Sequence, residues 1–404
     1  MSFGLIGIGL MGGNLALNIS KKKELHIMNR TPSKARQLVE DNPNLPLVYH
    51  GNMNDMIESM REPRTIITML PHGSSSTTVI EDLCDILSED DTIMDGANEY
   101  FSVSESRNRK CNPHNIGYLG LGIAGGKVGA LNGPTVMVGG SFDTFNKNHD
   151  FLNEFSGNLF YMGEEAGSGH YTKMVHNGIE YALLQGMSDV FAYCNYDQRE
   201  FQKVLNMTKN TDLYGYLIEN ANYCCNNFDM SRIDGECHMN DTGMWCSMLS
   251  LQRQLHSPVI ISSVMARVNS RHMRDDVLGN EMTFIDYHAA VGGLLFVFAS
   301  AFLEGFGLIE NYGISSDIAR RAWSRGTIIQ CKLLQKPISN LIITRADNAR
   351  HARDVVNVCN RFCRGIPSLS AAIDSYHFQR NGNKSTSLLM TQRFVFGGKE
   401  IKNI

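Results

Sequence analysis

Apolar and polar positions change their rhythm once along this chain, between Gly163 and Gly169. Before the change, short apolar runs alternate with stretches of helical spacing. The runs are LIGIG from Leu5, LHIMN from Leu25, TIITML from Thr65, DTIMDG from Asp91 and GYLGLGI from Gly117. Strands alternating with helices in this way predict a parallel, doubly wound sheet. TVMVGG from Thr135 and NLFYMG from Asn158 supply its last strands. Beyond Gly169 the strand signals nearly vanish. Helical patterns then occupy Ser188 to Asn195, Pro258 to Ser270, Phe284 to Ile309, Ile318 to Leu334 and Ala349 to Arg364. The expected organisation is an α/β domain over 1–165, a nearly all-α domain over 166–378, and a short polar tail over 379–404.

The stretch GSGHYTKMVHNGIEYALLQ, Gly167 to Gln185, combines the helical pattern with candidate chemistry. Lys173, Asn177 and Glu180 fall at i, i+4 and i+7, which places them on one side of a helix. Met174, Val175, Ile179, Leu183, Leu184 and Met187 supply an apolar surface that would bury it. A lysine and a glutamate held together in a half-buried cleft perturb each other's proton affinity, which suits general acid/base work near neutral pH. Spacing alone also describes an exposed Lys and Glu on an amphipathic helix.

Composition narrows the class. A chain of 404 residues has length for two or three domains, and 43% hydrophobic with 19% charged residues describes a globular protein rather than a disordered one. A formal charge of -4 argues against nucleic acid as a partner, and Lys21 to Lys23, followed at once by Glu24, is expected to be a solvated turn. The ten cysteines include no CxxC pair, and the close pairs Cys224 with Cys225 and Cys359 with Cys363 lack a second pair at zinc spacing, so no metal is expected. The chain enters a strand pattern at Phe3 without a secretory leader, which predicts reduced thiols and a cytoplasmic location. Ala289 to Leu303 is uncharged but shorter than a membrane span and closed by Glu304; a packed interior or subunit-interface helix is expected, and no membrane partner.

Gly7, Gly9 and Gly12 form a GxGxxG, with Leu10 and Met11 inside it, directly after the first strand and at the start of a helix. In that setting glycines let the backbone approach a pyrophosphate at a helix N-terminus, so a Rossmann-like dinucleotide site is expected. The second strand ends in Asn29, Arg30 and Thr31 rather than in an acidic residue. A guanidinium and a hydroxyl suit a 2'-phosphate, which points to NADP.

KMVHNGIEY, Lys173 to Tyr181, resembles the catalytic helix of 6-phosphogluconate dehydrogenases. Phrases resembling that family recur in order: GLIGIGLMGGNLALNI (Gly4 to Ile19), NRTPSK (Asn29 to Lys34), DGAN (Asp95 to Asn98), GGKVGALNGPTVMVGGS (Gly125 to Ser141), DTGMW (Asp241 to Trp245), the segment around Arg267, and TQRFVFG (Thr391 to Gly397). The resemblance implies NADP-dependent oxidative decarboxylation of a phosphorylated sugar acid, 6-phospho-D-gluconate, to ribulose 5-phosphate, a step of the pentose phosphate pathway. It implies Lys173 as the general base and Glu180 as the acid that protonates the enediol carbon. Asn98, Gly125, Gly126, His176, Asn177 and Tyr181 would contact substrate, Asn98 also the cofactor. Arg267 and Arg393 would grip the phosphate, Arg393 reaching across from the partner in a homodimer.

Four positions depart from the family pattern. Met244 stands where a lysine is usual, Ala124 and Lys127 where Ser-Gly-Gly-Glu is usual, and Lys399 where a histidine is usual. The region Ala346 to Ser368 and the end of the chain are also shorter than is usual. Met244 and Ala124 keep open a second substrate reading, another 3-hydroxy acid, and a third reading is an NADP-binding homologue without catalysis.

Overall fold

The computed structural model describes residues 1–272, 284–380 and 386–397. Up to Gly163 strands and helices alternate. In chain order they are β1 Ser2–Ile6, α1 Leu10–Ser20, β2 Leu25–Met28, α2 Pro32–Asp41, β3 Leu47–Tyr49, α3 Met53–Ser59, β4 Arg64–Thr68 and α4 Ser74–Ile86. There follow β5 Thr92–Asp95, α5 Phe101–Cys111, β6 Gly117–Ala124, α6 Gly126–Asn132, β7 Thr135–Gly139, α7 Phe142–Lys147, α8 His149–Phe155 and β8 Asn158–Gly163. The eight strands make one sheet in the order β3-β2-β1-β4-β5-β6-β7-β8. The chain reverses direction across the sheet between β1 and β4, and the GxGxxG turn lies at the carboxyl end of β1 there. That is where an open α/β sheet leaves a crevice for a ligand.

The sheet is mixed rather than wholly parallel, because β6 and β7 run antiparallel. Ala124 pairs with Thr135, leaving residues 125–134 to make the connection. A parallel crossover needs a dozen or more residues, so this short link, holding only α6, turns the chain back as a hairpin does.

From Ser168 the described chain is helical: α9 Ser168–Tyr193, α10 Gln198–Thr208, α11 Tyr216–Asn227, α12 Asp241–Gln252, α13 Pro258–Asn269, α14 Tyr287–Asn311, α15 Ser316–Trp323, α16 Ile338–Arg361, α17 Pro367–Arg380 and α18 Ser387–Gly397. Two helices run through the centre. In α9 apolar positions occur on every side, and Val175, Ile179, Leu183 and Val190 are all inaccessible to solvent. The helix α14 is long and apolar enough to cross a membrane, yet 83% of its most apolar window is buried inside the protein. Glu304 does not close this helix as the pattern suggested. It sits inside α14, buried, and accepts hydrogen bonds from the Val259 and Ile260 N–H groups at the start of α13. The carboxyl oxygens give those otherwise unsatisfied donors acceptors, so the side chain is accommodated within the helix.

The sheet and α9 meet through glycine. A Cβ on Gly122 of β6 would come within 2.4 Å of the Gly169 carbonyl oxygen and 2.9 Å of Lys173 Cβ. A Cβ on Gly169 would come within 2.2 Å of the Gly120 carbonyl oxygen. Bare backbone on both sides therefore sets how closely α9 seats on the sheet, one helical turn before Lys173.

Candidate active site

The dinucleotide end is built by the first strand and turn. Gly7 has φ +108°, and a Cβ on Gly12 would sit 1.9 Å from the Gly7 carbonyl oxygen. Neither position tolerates a side chain. Gly9 precedes α1 and faces open space, so the first N–H groups of that helix are approachable by an anion. Asn29 accepts from Ile8 N–H at 2.8 Å and donates to the Thr31 carbonyl at 2.9 Å, so its amide braces the turn instead of projecting from it. Arg30 and Thr31 are exposed at the end of β2, and the Thr31 hydroxyl makes no cap bond to α2. Leu10 is exposed and Met11 half-buried, placing an apolar lip beside the turn. The donor set suits a pyrophosphate and a further phosphate.

The loop after β5 carries Asn98 and is held from below by a network that sequence patterns did not disclose. Fully buried Asp95 accepts from Arg107 Nη1 at 2.6 Å, Tyr118 Oη at 2.7 Å and Ala97 N–H at 3.1 Å. Arg107 also donates to Glu99 at 2.7 Å, and Glu99 accepts from Gly73 N–H at 3.0 Å. Burial pushes the Asp95 carboxyl up, but His170, Arg107, Tyr118 and the Ala97 N–H together hold it below the ordinary value. The buried charges are thus paired and hydrogen-bonded, which is what such groups need to stay ionised. The network leaves Asn98 exposed at the mouth of a cleft. The one available signal was the apolar strand ending in a lone aspartate.

On α9 the Lys173 side chain is 8% exposed. Burial holds its amine below the ordinary lysine value, with Glu180 opposing. Burial raises Glu180 in turn, against the pull of Lys173 and Arg267. The two groups are therefore pushed toward neutral forms, a basic amine and a proton-bearing carboxyl. His176 is inaccessible, and burial, reinforced by Lys173, holds it well below its ordinary value. Its Nδ1 lies 3.0 Å from Asn177 Oδ1 and its Nε2 has no hydrogen-bond partner among the described residues. Asn177 in turn donates to Thr242 Oγ1 at 2.9 Å.

The segment before α12 completes this side. Tyr181 Oη accepts from Asn240 N–H at 2.7 Å and donates to the Asn240 carbonyl at 3.1 Å. The Arg267 guanidinium lies 3.7 Å from the centre of the Tyr181 ring and donates to the His238 carbonyl at 3.0 Å. Stacking and hydrogen bonding fix its plane, which favours bidentate recognition of an oxyanion. Gly243 must be glycine here, since a Cβ would come within 2.4 Å of the Tyr181 ring.

Between the two halves lies a cavity of about 350 Å³ lined by Leu70, Pro71, His72, Asn98, Asn240, Asp241 and Thr242 among others. His72 and Asp241 span it at 3.2 Å, and the His72 ring meets Trp245 edge-on. Asn98 and Thr242, the partner of Asn177, thus share one cleft. A larger surface cavity of about 1000 Å³, lined by Tyr196, Gln198, Arg199 and Phe228 among others, is not the candidate site. It opens beside Phe191, on the order of 27 Å along α9 from Lys173.

The remaining candidates divide. Gly125 and Gly126 have φ of +118° and +60°, a left-handed turn at the start of α6. Ala124 is buried, Met244 half-buried, and Lys127 exposed. Arg393 is exposed on α18, and among the described residues no hydrogen bond or ion pair joins it to the other site residues. Lys399 lies outside the described residues. Among those residues no three His, Cys, Asp or Glu side chains gather as a metal site.

Residues 2–163 match the family model for the NAD binding domain of 6-phosphogluconate dehydrogenase, and residues 169–404 match that for the 6-phosphogluconate dehydrogenase C-terminal domain. The chain is 31% identical to the NAD(+)-dependent, decarboxylating 6-phosphogluconate dehydrogenase of Bacillus subtilis, over 98% of this chain and 95% of that one. It is 29% identical to the decarboxylating 6-phosphogluconate dehydrogenase of Escherichia coli, over 99% and 96%. In three dimensions it resembles Plasmodium falciparum 6-phosphogluconate dehydrogenase, with a TM-score of 0.91 and 24% identity over 100% of this chain and 98% of that one. The match shows the shared fold, an α/β Rossmann-like domain followed by a mostly helical one. With both halves matched in order, the chain belongs to the decarboxylating 6-phosphogluconate dehydrogenase family.

Proposed function

We propose that this chain catalyses NADP-dependent oxidative decarboxylation of 6-phospho-D-gluconate to ribulose 5-phosphate, CO2 and NADPH, in the cytoplasm. In this reading residues 1–165 bind the cofactor, 166–378 bind substrate and the second subunit, and 379–404 form a tail. The observation that carries it is the pair Lys173 and Glu180 on one buried helix face, each pushed toward its neutral form. Neutral Lys173 can take the proton from the C3 hydroxyl. The bound nicotinamide supplies the hydride acceptor. Lys173, now an ammonium, hydrogen-bonds the C3 ketone while the C1 carboxylate leaves, and returns its proton to that oxygen. Glu180, bearing its proton, delivers it to the carbon from which CO2 departed, while Lys173 takes back the enediol O–H proton so that the C3 ketone re-forms. Opposed duties need separated proton affinities, and two groups seven residues apart on one helix face can be tuned against each other.

Asn177, Asn98 and His176 would orient the sugar acid, and Gly125 and Gly126 would meet its carboxylate. Arg267 is positioned for the phosphate. Arg393 would complete that grip from the second subunit of a homodimer; the exposed apolar residues Leu388, Leu389, Met390 and Val395 beside it on α18 support a tail that docks on another chain. For the cofactor, Arg30 and Thr31 support NADP, whereas the Bacillus subtilis relative is named for NAD. Met244 and Ala124 favour one alternative, a different 3-hydroxy acid. Steady-state reduction of NADP and of NAD, each with 6-phosphogluconate and with unphosphorylated gluconate, tests both points. The expected result is turnover of the phosphorylated acid with NADP preferred, and an Arg30→Ala variant that loses about 1.5 to 3 kcal/mol of that preference. Equal use of both cofactors by the unaltered protein would remove the assignment to NADP. Turnover of gluconate alone would replace the substrate.

A further inference from the structure

Two of the ten cysteines meet in the core beside the sheet, away from the cleft. Cys84 lies in the last turn of α4, and Cys111 is the last residue of α5. Their sulfurs are 2.8 Å apart, and the residues are 3% and 0% exposed. Among the described residues no other two cysteine sulfurs lie within hydrogen-bonding distance. A disulfide is about 2.0 Å long, so roughly 0.8 Å of approach remains, which small side-chain rotations supply. Ile80, Leu83, Leu87, Ile116 and Tyr118 belong to the same buried apolar cluster as the pair.

The two sulfurs are not equivalent. Either thiol can donate the hydrogen bond between them; with Cys111 as donor, that bond lowers the Cys84 thiol against the opposing effect of burial and, with burial, raises Cys111. The better thiolate, and therefore the better nucleophile, is on α4.

We propose that Cys84 and Cys111 form a reversible disulfide that staples α4 to α5 when the protein meets a peroxide. Cys84 attacks one peroxide oxygen, the O–O bond breaks, and Cys84 becomes a sulfenic acid with release of water. Cys111 then attacks that sulfur, and a second water leaves with the hydroxyl and the Cys111 proton. Two thiols are oxidised by two electrons and one peroxide is reduced to two waters; a small thiol reverses the bond. Access comes through the ends of both helices, where the last turns open most readily.

The staple lies at the helix ends opposite the cleft. The other ends of α4 and α5 are already joined by Gly73, Glu99 and Arg107, whereas around the cysteines the helices are held by apolar packing and an exposed Lys110–Glu81 ion pair. Oxidation should therefore stabilise the sheet half without altering dinucleotide binding.

The test treats the folded full chain with hydrogen peroxide and maps its peptides without reduction. The expected result is a mass loss of two hydrogens, a peptide joining Cys84 to Cys111, a Tm raised by several degrees, unchanged NADP affinity, and reversal by dithiothreitol. Cys84→Ser should lose the crosslink, while Cys363→Ser, altering an exposed thiol, should keep it. Should Cys84→Ser fail to fold, the peptide map of the unaltered protein decides alone. Oxidation of Cys84 to sulfinic acid without a crosslink, or a Cys84–Cys111 peptide appearing only after denaturation, would overturn the proposal.

Discussion

At the residue scale the site depends on charges that burial keeps from forming freely. Glu180 holds the Lys173 amine up against burial, so removing the carboxylate should let that amine fall further. In single-turnover measurements of hydride transfer, the acid limb of the pH profile reports loss of neutral Lys173. Glu180→Gln should therefore shift that limb to lower pH, while slowing the later proton delivery more than the first step. A limb that stayed in place would separate the two groups. Lys173→Met should abolish NADPH formation and leave NADP affinity nearly intact, because the base acts on the substrate; near-normal turnover would remove Lys173 from the chemistry. Lys173, Asn177 and Glu180 were legible as a helix face because flanking apolar residues fixed the helix period. Their partners were not. The Asn177 bond to Thr242 and the Arg267 stack on Tyr181 join positions 65 and 86 residues apart, and no local pattern encodes such pairings.

At the element scale, strands and helices could be read where one period ran unbroken. Where it did not, the sequence misled in instructive ways. The pattern Ile318 to Leu334 is one helix by spacing, yet α15 ends at Trp323 and Gly326 takes φ +67°. Ile329, Leu333 and Leu334 still reach the core, but through a loop and a short 3₁₀ turn, so apolar spacing outlasted the helix. The helix α16 starts at Ile338, ahead of the pattern from Ala349, because its first turns are largely exposed and carry little amphipathic signal. The glycines of β6 were read as part of a strand, whereas their consequence lies across the sheet face. Gly122→Ala would press a methyl onto the Gly169 carbonyl and Lys173 Cβ, so α9 must shift. We expect a loss of about 1 to 3 kcal/mol in urea unfolding and a lower kcat with NADP affinity kept. Unchanged kcat would mean that the seating of α9 does not position Lys173.

At the scale of the whole molecule, two buried carboxyls tie the helical half together. Glu304 of α14 meets the first N–H groups of α13, and Asp189 of α9 meets Leu369 N–H in the first turn of α17. Hydrogen bonds and helix termini favour their charged forms, but burial outweighs them, pushing Glu304 up to about 8 and Asp189 up to about 7 from ordinary values of 4.5 and 3.8. The sign follows from linkage. Between the ordinary and the folded value the native chain holds a proton that the unfolded chain has released, so stability falls as pH rises. Each contribution is full below the ordinary carboxylate range and is lost on rising through about 7 for Asp189 and about 8 for Glu304. While a group is fully in that window the slope is about 1.4 kcal/mol per pH unit. Glu304→Gln replaces the carboxyl by a neutral group of the same shape and should flatten Glu304's share of the slope. Urea unfolding of both proteins from pH 5 to pH 8 should show the variant gaining on the unaltered chain as pH rises. If the unaltered chain gained instead, the helix N-terminus would be holding Glu304 as a carboxylate, and the pull of the α13 N–H groups would outweigh burial at the centre of the molecule.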